Sequence, residues 1–121
     1  MQANNATIVS NMKKPLYVQY VEEREGACFI EHKHGFLIYK VAPDHVYLQD
    51  IFVVKEERNS GLAKRLFWEF VGTMRSYGYT KIIGSVVPSA PGSTLMLKSM
   101  QELGFNLLSS SQDMIYLVKE I

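Results

Sequence analysis

Apolar and polar residues follow two distinct rhythms along this chain. Leu62, Ala63, Leu66, Phe67, Phe70, Val71, Met74 and Tyr77 recur at helical spacing, while Lys64, Arg65, Glu69 and Arg75 take the other face. This spacing predicts one long amphipathic helix, which Gly78 is placed to cap. Just before it, the β-rich run Val46-Tyr47-Leu48-Gln49-Asp50-Ile51-Phe52-Val53-Val54 predicts a strand, and the polar stretch 55–61 a tight turn.

The flanking segments fill in the rest. Pro15 suits the first turn of a short helix, whose apolar stripe is Leu16, Tyr17, Tyr20 and Val21 and which should stop near Gly26. Two β-rich runs, 27–31 and 36–41, lie around a turn at Lys33-His34-Gly35 and read as a hairpin. The run 81–87 reads as a buried strand ended by Pro88. A second helix follows, capped by Ser93 or Thr94, running to Leu103 and closed by Gly104. Phe105 to Leu108 and Met114 to Val118 are the last strands. Residues 1–12 are polar and Asn-rich and read as flexible, although Ala6-Thr7-Ile8-Val9 can add an edge strand. The order hairpin, strand, helix, strand, helix, hairpin predicts an α/β single domain over 1–121. Its sheet is mixed and mostly antiparallel, with a central parallel strand-helix-strand crossover.

Composition narrows the partners more than the fold. A chain of 121 residues is one domain, and 47% apolar with 21% charged residues is ordinary for a globular protein. A formal net charge of +1 offers no reason to expect nucleic acid or an anionic membrane as main partner. The single cysteine, Cys28, excludes an intrachain disulfide and a Cys-rich zinc site. No signal peptide or membrane-length apolar run is present, so the expected compartment is the cytoplasm. His32 and His34 lie beside a hairpin turn without a third ligand at metal spacing and read as exposed turn residues; no metal is expected. His45 opens the central strand and can act as a base only through water.

Chemistry concentrates at the turn between the central strand and the long helix. A tight turn there directs several backbone N–H groups to one spot, at the positive end of a helix dipole. That makes an anion site suited to a pyrophosphate. The plainer reading is that Gly61 only eases the strand-to-helix turn.

Arg58-Asn59-Ser60-Gly61-Leu62-Ala63 resembles the Arg/Gln-x-x-Gly-x-Gly/Ala signature of the GNAT superfamily, the acyl-CoA-dependent N-acyltransferases. Leu48 to Val53 resembles the strand before that turn, Leu103-Gly104-Phe105 the family's Leu-Gly-Phe, and Met114 to Glu120 its terminal strand. The similarity runs over 27–121, in the family's order. It implies an acyl-CoA N-acyltransferase-like fold and an N-acetyltransferase that moves an acetyl group from acetyl-CoA, as acyl donor, directly to a primary amine. It further implies that the backbone of Ile51 and Val53 binds the pantetheine arm and thioester as an added strand. The N–H groups of Arg58, Asn59, Ser60, Gly61, Leu62, Ala63 and Lys64 would then hold the pyrophosphate, with Gly61 and Ala63 small enough for close approach.

The proton-transfer positions depart from the family pattern. Some relatives carry a glutamate where this chain has Gln49, and many a tyrosine where it has Met100; neither side chain here can do that work. The helix-starting asparagine corresponds to Ser93. Asp50 is the retained carboxylate, though strand alternation turns it to the other face unless a bulge intervenes. Tyr116, Tyr47 and Ser85 are the hydroxyls available as acids, and Asp50 and Tyr116 are the candidate catalytic residues. Each also reads as an ordinary packed or exposed residue.

Fuller members have two helices before the first hairpin, whereas 26 residues here allow one short helix. The expected acceptor side is therefore shallow. It favours a lysine or N-terminus on a protein over a small polyamine, or else a cleft completed by a second subunit in a homodimer. Glu22, Glu23 and Glu25 are the carboxylates clustered there. Trp68 leaves the stripe of its helix, and marks a contact surface or rests on the N-terminal segment. A degenerate relative, binding CoA or nothing and serving as an interaction or regulatory module, is the alternative function.

Overall fold

The computed structural model describes residues 14–121, so the edge strand expected over Ala6 to Val9 lies outside the described residues. A short helix, α1 (Leu16–Glu25), leads into the hairpin β1 (Cys28–His32) and β2 (Gly35–Val41). Then follow β3 (Val46–Val53), a 3-10 turn (Lys55–Glu57), α2 (Leu62–Ser76), β4 (Lys81–Val86), α3 (Ser93–Glu102), β5 (Asn106–Ser110) and β6 (Ile115–Glu120). The six strands make one sheet in the order β1-β2-β3-β4-β6-β5. Among the described strands only β3 and β4 run parallel, because α2 carries the chain back between them.

One sheet face and two helices build the core. Leu62, Leu66, Phe67, Phe70, Val71 and Met74 of α2 are buried against Leu37, Val46, Ile82, Val86 and Leu117 of the sheet. Phe67 also meets Phe105, just past α3, with ring centroids 5.7 Å apart. Both α2 and α3 therefore cover the same face. Tyr77, expected in the stripe, is exposed because the helix ends at Ser76 and the chain turns at Gly78. Trp68 lies edge-on to Phe67 and the Lys119 ammonium sits 5.2 Å from its ring centre in a cation–π contact, yet the indole stays exposed.

Two details of the helices differ from expectation. Pro15 is the N-cap of α1 rather than a residue of its first turn, and Leu16, Tyr17 and Tyr20 face outward. Val18 is the buried residue of α1, and Glu22 and Glu25 follow it at helical spacing, paired with Lys14 at 3.1 Å and Lys40 at 3.9 Å. Neither Ser93 nor Thr94 caps α3: the cap is Gly92, and the Ser93 hydroxyl donates to the carbonyl of Pro88.

Tyr39 packs on Phe70, centroids 5.1 Å apart, and burial followed by the neighbouring Cys28 pushes its hydroxyl up to about 12. Its folded value exceeds the unfolded one. The associated stability is thus complete below pH about 10 and is lost as pH climbs toward 12. Urea midpoints followed across this range should decline less steeply for Tyr39→Phe than for the parent; equal slopes would remove Tyr39 as the source.

Candidate active site

The site begins with an irregularity in β3. Ile38 pairs with Asp50 and Tyr39 with Leu48, which leaves Gln49 as an extra residue: a β-bulge. Val46, Leu48, Ile51 and Val53 consequently all pack toward the helices. Tyr47 and Asp50 share the opposite face, so the bulge moves Asp50 into step with Tyr47.

Beyond this point β3 loses its parallel neighbour. Its ladder to β4 consists of Val46 with Ile82 and Tyr47 with Ile83, although the two strands run on to Val53 and Val86. Val54 donates to the carbonyl of His34 across the β2 side. Strand alternation then turns the N–H groups of Ile51 and Val53 the other way, toward the gap. Two side chains occupy that free edge. The Asp50 carboxylate accepts the Ile51 N–H at 2.8 Å, and Arg58 Nε donates to the Val53 carbonyl at 3.1 Å while its guanidinium lies 5.9 Å from the centre of the Phe52 ring.

The gap opens into a cavity of about 430 Å³. Leu48, Gln49, Asp50 and Ile51 line one wall, Ser85 the other strand, and Leu95, Met96, Ser99 and Met100 of α3 the helical side. Met100 is buried with its methyl in the notch left by Gly84, where an added Cβ would stand 2.4 Å from it. The Tyr47 and Ser85 hydroxyls hydrogen-bond at 2.5 Å across the two strands. Tyr116 is directly opposite Ser85 on β6, outside the cavity lining.

Ala63 and Lys64 join this cavity to a second concavity of about 270 Å³, lined by Val53, Glu57, Arg58, Asn59, Gly61 and Leu62. Here the turn meets α2. Asn59 and Gly61 both have left-handed backbone, φ 66° and 88°. The Ser60 hydroxyl bonds back to the Glu57 carbonyl, and no side chain caps the helix. The N–H of Arg58 donates to Lys55, whereas those of Asn59, Ser60, Gly61, Leu62, Ala63 and Lys64 meet no acceptor among the described residues. A run of such amides at a helix N-terminus, edging a concavity, is chemically an anion cradle.

The histidines stand apart from this arrangement. His45 Nδ1 is bonded to Asp44 at 2.7 Å, which holds the Asp44 carboxyl below its ordinary range. His34 is 3.9 Å from Glu57, and the His34 N–H donates to His32. Among the described residues no group of three His, Cys, Asp or Glu comes together as metal ligands. Likewise no described helix is long and apolar enough to cross a membrane. The Gln49 bulge and the Tyr47–Ser85 bond are the site features that residue order alone did not disclose.

Known proteins share this architecture. The family model described as the acetyltransferase (GNAT) family matches residues 8–105. A search of the curated proteins finds no match. Among solved structures, a GNAT family acetyltransferase from Elizabethkingia anophelis with acetyl-CoA bound superposes with TM-score 0.68. It is 18% identical, with 90% of this chain and 84% of that one covered. A ribosomal-protein alanine N-acetyltransferase from Escherichia coli gives 0.64 at 17% identity, covering 89% and 77%. The PaiA N-acetyltransferase from Thermoplasma acidophilum, in complex with coenzyme A, gives 0.65 at 16% identity. That match covers 73% of this chain, which spans only 54% of the length of the Thermoplasma protein. With the family model extending over most of its length, the chain belongs to the GNAT acetyltransferase family.

Proposed function

We propose that this protein transfers an acetyl group from acetyl-CoA to a primary amine, by direct attack on the thioester. The observation that carries the reading is the run of N–H groups from Asn59 to Lys64 that find no acceptor among the described residues, continuous with the free edge of β3. A diphosphate satisfies the amides and the helix dipole together. Val53 and Ile51 then present backbone to an extended arm, as a sheet edge does to an added strand. Arg58 and Asp50 must first let go of the Val53 carbonyl and the Ile51 N–H. Once released, the Ile51 N–H is a donor for charge developing on the thioester oxygen.

The donor brings an acyl carbon already activated for attack; the chain's own task is to align the reactants and move protons. Asp50 lines the cavity and is the carboxylate we assign to proton acceptance from the amine, with Tyr116 behind Ser85 as a further hydroxyl. Asp50→Asn should lower turnover about a hundredfold, the ordinary scale of lost general-base catalysis. Its acetyl-CoA affinity by calorimetry should stay unchanged, and undiminished turnover would rule the assignment out.

The acceptor we favour is an amine on a protein or peptide. α1 is the one described helix outside the core, and two of its three carboxylates, Glu22 and Glu25, are already paired with lysines. Little unpaired negative charge remains on α1 to hold a polyamine. CoA release should therefore be seen with peptides bearing free N-termini or lysines, and micromolar polyamine binding would overturn this preference.

Thermal denaturation with acetyl-CoA tests the core of the reading. At a hundred times its dissociation constant the ligand should add about 2.7 kcal/mol of stability. No shift at millimolar ligand would reject the donor site. The packing of Met100 into Gly84 favours a second reading, a CoA-binding module without turnover. A clear shift with no CoA release over the amine and peptide panel would select it.

A further inference from the structure

At the base of the β3–β4 gap two hydroxyls are joined, and Met100 of α3, packed on Gly84 beside them, has no proton to give. We propose that Ser85, supported by Tyr47, is the proton donor to the departing thiol sulfur. This assignment rests on the proposed function above and adds to it the residues that complete the transfer.

Placement carries the argument. Tyr47 is the last residue of β3 laddered to β4, opposite Ile83, and Ser85 lies two residues further along β4, where the strands no longer pair. The Tyr47 side chain spans this fork, and its Oη is 2.5 Å from Ser85 Oγ. A phenol is the stronger hydrogen-bond donor of the two. With Tyr47 Oη–H donating to Ser85 Oγ, the serine proton is left free to point elsewhere. Ser85 lines the same cavity as Gln49, Asp50 and Ile51. From Val53, beside the amide cradle, back to Gln49 is about 13 Å of extended strand. An arm anchored at the cradle and laid along this edge therefore ends near Ser85. Tyr116 lies outside the lining, and the Asp50 carboxylate is an acceptor there, engaged with the Ile51 N–H.

The step balances without any further reactant. The nitrogen–carbon bond forms and the carbon–sulfur bond breaks, its electron pair leaving on sulfur. Ser85 Oγ–H gives its proton to that sulfur, and Tyr47 Oη–H replaces it. The proton shed by the attacking nitrogen is taken up by Asp50 and passes on through water to Tyr47, so the net movement is one proton from amine to thiol.

A titration of bound CoA tests this without an acceptor. Thiolate absorbance is followed against pH in complexes of the parent protein, Ser85→Ala, Ser85→Thr and Tyr47→Phe, with binding of each checked by calorimetry. A hydroxyl donating to sulfur stabilises the thiolate. Ser85→Ala should make the bound thiol about tenfold less acidic, the scale of one hydrogen bond to a charged acceptor. Tyr47→Phe should move it the same way by less, and Ser85→Thr should match the parent. Identical titrations for the parent and Ser85→Ala, both with CoA bound, would overturn the assignment while leaving the CoA site intact. A parent protein that binds no CoA would overturn this assignment together with the function it rests on, and calorimetry distinguishes the two.

Discussion

Gly61→Val should weaken acetyl-CoA binding by about two orders of magnitude, roughly 2.7 kcal/mol. Two effects combine. At φ 88° an L side chain is strained, by about 1–2 kcal/mol for an ordinary residue and more for a β-branched one. The strain presses the turn toward another conformation and scatters the amides of Asn59 to Lys64. The new methyl groups also enter open space, since nothing lies within 4 Å of a Cβ built at Gly61. That space adjoins the concavity where we place the diphosphate. Calorimetry at a temperature where circular dichroism shows the variant folded isolates binding from stability. Parental affinity in a folded Gly61→Val protein would sink the cradle assignment.

Phe67→Ala should cost about 3–5 kcal/mol of stability, a large share of what a domain of this size possesses. Phe67 is fully buried and meets Phe70, Phe105 and Trp68 at ring-centroid separations of 6.4, 5.7 and 5.2 Å. It is the contact that ties α2 to the segment following α3. Its removal leaves a cavity between α2 and the segment that follows α3, beside the proposed donor site. The urea midpoint should drop steeply with little change in slope, and saturating acetyl-CoA should recover part of the loss. A loss below about 1 kcal/mol would mean that the core closes over the gap and that Phe67 does not organise it.

Much of this fold was legible in residue order because its strongest determinants are local. The α2 stripe has a period no strand can satisfy, and six of its eight apolar members are buried as the spacing requires. Turn residues separate the strands at short range, so the β1–β2 and β5–β6 hairpins follow from neighbouring residues. The α1 stripe misled for a related reason. Apolar periodicity reports which face can be buried, whereas in the structure α1 turns Val18 inward and leaves Leu16, Tyr17 and Tyr20 exposed, with Glu22 and Glu25 paired to Lys14 and Lys40 on the Val18 side.

The site divides along the same line. The sequence by itself determined the strand-turn-helix unit: the β-rich Val46 to Val54 run, the glycine at 61 and the amphipathic α2 are set by propensity, backbone sterics and burial within about thirty consecutive residues. Only the tertiary structure decided what that unit faces. The bulge at Gln49 that turns Asp50 beside Tyr47 arises in the pairing of two consecutive strands, whereas the early end of the β3–β4 ladder and the bond from Tyr47 to Ser85 depend on how strands far apart in sequence meet. A hairpin turn can fix the register of the strands it joins, but β3 and β4 are joined through α2, so where their ladder stops is settled by how the helices pack on the assembled sheet.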